Sequence, residues 1–232
     1  HRHDDGWARH DRRPHLHGDG TPVDFTELPP ATWIDLYADG IDSVVDLDPY
    51  AGLLVSMHGA GLRRRRYGLS PGWSDTPDAY ADFVEREESR QRRLARDLLT
   101  AGRLTDADVS LLSRLHERGS LPEDADCRPF RNYRLLQAWD VLSLAFCTTL
   151  EPPGYDGIGP MPTRPGEPDV TLDVEPLGDD QFRLDPYPFD VEPLTVLVPT
   201  RTVRRDAFDD EAGLSEAFDR TRTLPVAYTL VR

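Results

Sequence analysis

The sequence contains no lysine, and several other residue types are scarce. All 27 basic residues are arginine, isoleucine occurs only at positions 34, 41 and 158, and Asn132 is the single asparagine. Two cysteines, Cys127 and Cys147, are too few for a disulfide framework, which favours a reducing, cytoplasmic location. No apolar run approaches the roughly 18 residues that a membrane span needs, and residues 1–11 have no apolar stretch typical of a signal peptide. We therefore expect neither a disulfide-rich secreted protein nor a membrane protein.

Acidic residues outnumber basic ones, 42 to 27, which gives a formal net charge of -15. This surplus repels phosphate backbones, so nucleic acid is not an expected partner. An acidic surface with arginine in place of lysine is typical of salt-loving organisms, because at about 1 M salt the Debye length is only about 3 Å and repulsion among carboxylates is screened. We expect a halophilic source, although a GC-rich genome alone also favours arginine over lysine.

The order of helix and strand signals predicts a mainly helical protein with a small antiparallel sheet, α+β overall. Residues 1–150 are predicted to be mostly helical, with Asp48 and Pro49 as a helix start signal and Thr105 with Asp108 as a capping box. Residues 151–168 are rich in proline and glycine and are predicted to form a linker. Alternating apolar residues predict strands within residues 169–232, which we expect to form a β-rich extension packed on the helical body.

Two polar residues lie in segments that are predicted to be buried helices. Asp140 lies in the sequence QAWDVLSLAFC, and His58 lies in LLVSMHG. An unpaired, ionised carboxylate in an apolar interior costs several kcal/mol, so Asp140 must be paired, protonated or bound to a cation. A single buried histidine or aspartate is usually a structural hydrogen-bonding group. The occurrence of both, on separate helices, points to a shared polar site.

A His-Asp pair, His3 and Asp4, supplies a possible third part of such a site. Imidazole and carboxylate ligands together suit iron, manganese, zinc or cobalt better than calcium. The dipeptide alone is weak evidence, since His10 and Asp11 form a second copy nearby. The order along the chain, with a His-Asp pair followed by a buried histidine and then a buried aspartate, strengthens the prediction of a divalent-metal site.

Five segments, in order along the chain, resemble a prokaryotic family of unknown function. That family is marked by a His-Asp-x-Gly-Trp signature, a Leu-Leu-Val-Ser-x-His segment and a Trp-Asp-x-Leu-Ser-Leu helix. Its members carry a histidine-containing segment before the signature, so we expect this chain to lack that segment. The matching segments are HDDGW (residues 3–7), GTPVDF (20–25), PYAGLLVSMHG (49–59), NYRLLQAWDVLSLAF (132–146) and DPYPF (185–189).

The polar pattern of that family is in turn similar to the HD superfamily of helical, metal-dependent phosphohydrolases. This resemblance implies an HD-like helical domain in residues 1–150. It also implies a divalent metal ion (manganese, iron, zinc, cobalt or nickel) held by His3, Asp4 and Asp140. His58 would be an additional ligand or a phosphate contact.

The implied chemistry assigns roles to five further residues. The metal would polarise a phosphoryl oxygen and lower the pKa of bound water. Asp5 would accept a proton or support the metal ligands, although it is equally suited to capping a helix. Arg63 and Arg64 would bind phosphate, although arginines at a helix C-terminus are often only solvated. Trp7 and Trp139 would form the pocket walls, or they belong to the core.

Two functions remain open from the sequence. The first is a metal-dependent hydrolase of a phosphorylated small molecule. The second is a non-catalytic ligand-binding or structural protein that keeps a buried His/Asp network. The metal hypothesis requires His3, Asp4, His58 and Asp140 to lie within a few ångströms of one another.

Overall fold

The structure is a computed structural model that describes His10, Arg12 and residues 14–71, 78–122, 126–147, 154–164 and 167–232. The predictions for His3, Asp4, Asp5 and Trp7 fall outside the described residues. They therefore stay predictions.

Two helix starts that the sequence predicts from capping residues are confirmed. The Asp48 carboxylate accepts hydrogen bonds from the backbone N–H groups of Tyr50 and Ala51, and Thr105 forms a complete capping box with Asp108. No helix within the described ranges combines the length and the apolar composition needed to cross a membrane. The α-helices are α1 (Pro30–Leu47), α2 (Pro49–Leu62), α3 (Ala81–Thr100), α4 (Asp106–Arg118), α5 (Arg128–Cys147) and α6 (Glu211–Arg220).

Five strands form one mixed sheet in the order β1-β2-β3-β5-β4. Strands β3 and β5 pair in parallel, and the other neighbouring pairs are antiparallel. A tight turn joins β2 to β3, and Asp179 and Asp180 have the positive φ values that such a turn needs. The strands are β1 (Tyr155–Met161), β2 (Val170–Gly178), β3 (Gln181–Asp185), β4 (Leu194–Thr200) and β5 (Leu224–Val231).

The prediction of a mainly α, HD-like domain with a small antiparallel extension is wrong. The fold is α+β, with a five-stranded mixed sheet as its second major part. The parallel pairing of β3 with β5 joins segments about 45 residues apart, which local alternation cannot reveal. Strand β1 lies inside the segment predicted to be a linker. The sequence does not predict this strand because Gly157, Gly159 and Pro160 are residues typical of loops.

Helices α2 and α5 position the residues that the sequence singles out. Helix α2 has ten buried residues out of fourteen and contacts α1, α3 and α5. The C-terminal half of α5 packs against the sheet, where Val141, Leu142 and Phe146 share a hydrophobic core with Ile158 and Phe182. The same half of α5 forms one wall of a cavity between the helices and the sheet.

Candidate functional site

A cavity of about 940 Å³ opens between the helical body and the edge strand β4. Its walls are mostly apolar, with a few polar groups among them, which is the usual composition of a small-molecule site. The aromatic lining residues are Phe25, Trp33, Tyr37, Tyr80 and Phe146; the aliphatic and proline residues are Leu28, Leu62, Leu144, Val196, Leu197, Val198 and Pro199; the polar residues are His10, Asp24, Thr26, Arg63, Asp140, Ser143 and Cys147.

His58 and Asp140 lie side by side at this cavity. The Nε2 atom of His58 is 3.9 Å from Oδ1 of Asp140, and the two residues are 1% and 7% exposed. Asp140 lines the cavity, and the His58 ring lies behind it, next to Tyr37, with ring centroids 6.4 Å apart. The two buried polar residues found in the sequence thus form one site, although they are 82 positions apart in the sequence.

Gln137 and Arg66 support His58 from the side away from Asp140. The Gln137 side-chain amide nitrogen lies 2.7 Å from His58 Nδ1, and its Oε1 atom accepts a hydrogen bond of 2.7 Å from Arg66 Nε. Arg66 is 1% exposed, and burial lowers the pKa of its guanidinium, while Tyr133 and Asp140 raise it. Sequence reasoning missed both residues. The signal for Arg66 was hidden within a run of four arginines, and Gln137 is one turn before Asp140 on α5.

The described residues do not by themselves fit a metal ion. Within them, no group of three or more histidine, cysteine, aspartate or glutamate side chains is arranged to hold one. The Nδ1 atom of His58 is already in contact with Gln137. The predicted site therefore depends on His3 and Asp4, which lie outside the described residues.

Arg63 and Arg64, which follow α2, have different environments. Arg63 lines the cavity, and its guanidinium carbon lies 3.8 Å from the ring centroids of both Trp33 and Tyr80, a double cation–π contact. Burial lowers the pKa of Arg63, although Tyr80 and Tyr37 raise it. Arg64 lies outside the described cavity lining and donates a 2.6 Å hydrogen bond to Glu88. Arg63 is therefore suitable for a ligand contact, whereas Arg64 serves an ion pair.

Trp139 lies away from the described cavity lining. Its ring stacks on Phe189 with the centroids 5.5 Å apart, at the margin of the core between α5 and the sheet. The aromatic wall of the cavity comes instead from Trp33, Tyr37 and Tyr80. These residues lie on α1 and in the segment before α3, which sequence reasoning did not connect to the site.

A second buried polar network joins α2, α3 and α4. The Ser56 hydroxyl donates to Glu87 Oε2 at 3.0 Å and accepts from Gln91 Nε2 at 3.2 Å, and Gln91 Oε1 lies 2.7 Å from His116 Nε2. Burial, with Arg92 and Arg64 nearby, lowers the pKa of His116 to about 4. This network has no part in the cavity lining and holds helices together.

The sequence matches one family model. The model of the family described as a protein of unknown function, DUF3891, matches residues 1–205. No curated protein and no solved structure matches the sequence. The match confirms the resemblance to a family of unknown function, and it carries no link to the HD superfamily. Because the match covers residues 1–205 of 232, including all the described residues of the cavity lining, the chain belongs to the DUF3891 family.

Proposed function

We propose that the protein binds a small organic molecule in the cavity between the helices and the sheet, with Asp140 and His58 as its polar centre. The observation that carries this proposal is the buried carboxylate of Asp140 at a mostly apolar cavity of about 940 Å³. That volume lies within the range of small-molecule sites, roughly 300–1,000 Å³.

The charged residues of the lining support this function. Burial of a carboxylate costs free energy, and a core of the same shape could be built from apolar residues at less cost. Arg63 adds a cation to the same cavity, held in one orientation by Trp33 and Tyr80. A molecule with an apolar body and one or two polar groups is complementary to these walls.

Saturation-transfer NMR with three aromatic probes tests the proposal. Indole, benzylamine and phenyl phosphate are neutral, cationic and anionic, respectively. We expect at least one of them to bind the wild-type protein and to bind less well to Ser143→Trp, which fills the cavity, because Ser143 lines it. Ser113→Trp on the exposed face of α4 is the matched control. Equal binding of a probe to the two variants would contradict the proposal. So would the absence of binding of all three probes to the wild-type protein.

A second candidate function is metal-dependent hydrolysis of a phosphorylated small molecule. It is favoured by the proximity of His58 to Asp140 and by the cationic Arg63 at the same cavity. Because the described residues do not fit a metal by themselves, His3 and Asp4 would have to complete the site.

Metal analysis and hydrolysis of p-nitrophenyl phosphate test this second function. The assay uses about 1 M KCl, because high salt screens the negative charge of the chain, with manganese, iron, zinc, cobalt or nickel. The hydrolase function requires a bound metal and an activity that Asp140→Asn removes and that Asp219→Asn on the exposed face of α6 retains. A metal-free, inactive protein that still binds one of the aromatic probes would leave ligand binding as the function.

A further inference from the structure

We propose that Arg66 and Gln137 are positioning residues that fix the tautomer of His58, so that its Nε2–H group faces Asp140. This inference deepens the proposed function and rests on it only for the role of the His58–Asp140 pair at the cavity. The Arg66 side chain can donate hydrogen bonds and cannot accept them.

All three nitrogens of the Arg66 guanidinium donate to oxygen atoms. Nε donates to Gln137 Oε1 at 2.7 Å, one terminal nitrogen donates to the Gln137 backbone carbonyl at 2.9 Å, and the other donates to the Pro71 carbonyl at 2.9 Å. The side-chain oxygen of Gln137 must therefore face Arg66. A flipped amide would place its NH₂ group against the guanidinium, donor against donor.

The orientation of Gln137 then determines the proton on His58. With its oxygen held by Arg66, Gln137 presents its NH₂ group to His58 Nδ1 at 2.7 Å, so Nδ1 is an acceptor. A neutral imidazole carries one N–H group, which must be at Nε2. A doubly protonated ring would again place two donors face to face.

The Nε2–H group of His58 points toward the Asp140 carboxylate, 3.9 Å away. This separation is too long for a direct hydrogen bond between the two groups. The same tautomer opposes a metal at Nε2, because coordination would require the proton to move to Nδ1 and the Gln137 amide to turn against Arg66. The relay of hydrogen bonds from Arg66 through Gln137 to His58 therefore determines that the His58 nitrogen nearest the Asp140 carboxylate carries the proton.

The backbone around Arg66 indicates that this placement is maintained at a cost. Arg65, Arg66 and Tyr67 have φ values of 49°, 52° and 52°, in the left-handed region that residues other than glycine rarely adopt. Strained backbone of this kind is concentrated at functional sites. The turn brings Arg66 back under α2 and α5 instead of leaving it in solvent.

Long-range ¹H–¹⁵N correlation spectra of the ¹⁵N-labelled full chain test the inference, because they distinguish the two histidine tautomers. The signals of His58 are assigned by their loss in His58→Gln. In the ligand-free wild-type protein at pH 8 we expect a protonated Nε2 and an unprotonated Nδ1. A protonated Nδ1 would overturn the proposal, whether or not any probe binds in the cavity.

The Gln137→Glu variant tests the relay directly. A glutamate carboxylate can stay paired with Arg66 and can only accept at His58, so we expect a proton on Nδ1. The matched control is Gln181→Glu, the same change at an exposed position of β3, which must leave the His58 signals unchanged. A folded Gln137→Glu protein that keeps the wild-type tautomer would overturn the relay. If this variant does not fold, the wild-type spectrum decides.

Discussion

Arg65 and Arg66 are neighbours with nearly the same backbone conformation, yet one is exposed and the other is 1% exposed. The difference depends on what lies within reach of each guanidinium. Arg66 reaches the carbonyl and amide oxygens of Gln137 and the carbonyl of Pro71. Arg66 thereby connects the turn after α2 to the middle of α5.

Arg66→Met should lower the free energy of unfolding by about 3 kcal/mol, because it leaves three buried oxygen atoms without their donor. Arg65→Met preserves the backbone context and should change stability by less than about 0.5 kcal/mol. Urea unfolding followed by circular dichroism measures both. Similar losses in the two variants would show that the turn, rather than the Arg66 hydrogen bonds, determines stability.

A second prediction at this scale concerns Gly61. A Cβ atom at this position would overlap with the Tyr133 hydroxyl, whose oxygen is buried and has no hydrogen-bond partner among the described residues. Gly61→Ala should therefore cost about 1–3 kcal/mol, even though alanine is the better helix former.

Tyr133→Phe should be nearly neutral and should recover at least about 1 kcal/mol of the Gly61→Ala loss in the double variant. Gly59→Ala on the same helix is the control, since its nearest contact is the flexible end of Ile41. Its effect should be the same with Tyr133 and with Phe at position 133. Additive losses for Gly61→Ala and Tyr133→Phe would contradict the overlap.

At the scale of helices and strands, α4 packs against α3 through a shared apolar core and through one buried histidine. His116 contacts Gln91 through Nε2 and Arg92 through Nδ1, at 2.7 and 3.4 Å. Because Arg92 and Arg64, which lie near it, are both cationic, this contact requires a neutral His116 ring. The contact between the two helices should therefore depend on pH.

Acidification should weaken the fold through His116. Burial lowers its pKa in the folded state from 6.5 to about 4. Between these values the unfolded chain holds a proton that the folded chain lacks. Stability from this group is therefore complete above pH 6.5 and falls toward pH 4, with a limiting slope of about 1.4 kcal/mol per pH unit.

The measurement compares urea unfolding of the wild-type protein and His116→Gln between pH 7 and pH 5. The difference in stability between them should shrink as the pH falls. A constant difference would mean that His116 titrates normally.

Local signals predicted most of the elements, and non-local pairing set the fold class. The caps at Asp48 and Thr105 are confirmed. They could be predicted because capping depends on residues two or three positions apart. Burial of His58 and Asp140 was predictable from their apolar neighbours, and their proximity followed from the order of motifs. Arg66 was not predictable, because its burial depends on a left-handed turn and on an acceptor 71 positions away.

At the scale of the whole molecule, the net charge of -15 has a measurable cost. Repulsion among surface carboxylates destabilises the folded state and decreases as salt shortens the Debye length from about 10 Å at 0.1 M to about 3 Å at 1 M. Three exposed acids, Asp46, Asp97 and Glu117, lie in the last turns of α1, α3 and α4, where the helix dipole also disfavours negative charge.

The melting temperature should rise by several degrees between about 0.1 and 1 M KCl, with each kcal/mol worth about 2–4 °C. The triple variant Asp46→Asn, Asp97→Asn and Glu117→Gln should melt higher at low salt and should gain less from KCl. Differential scanning calorimetry measures both effects. A melting temperature that falls with salt would mean that screened ion pairs outweigh the repulsion.

The position of β5 between two other strands has a consequence for folding during synthesis. Strand β5 lies between β3 and β4, and within the described sheet β4 pairs with β5 alone. On the ribosome, residues 194–200 emerge well before the partner that they need. The cavity wall formed by β4 therefore cannot close until residues 224–231 have left the exit tunnel, and until then β4 has no strand to pair with in the described sheet.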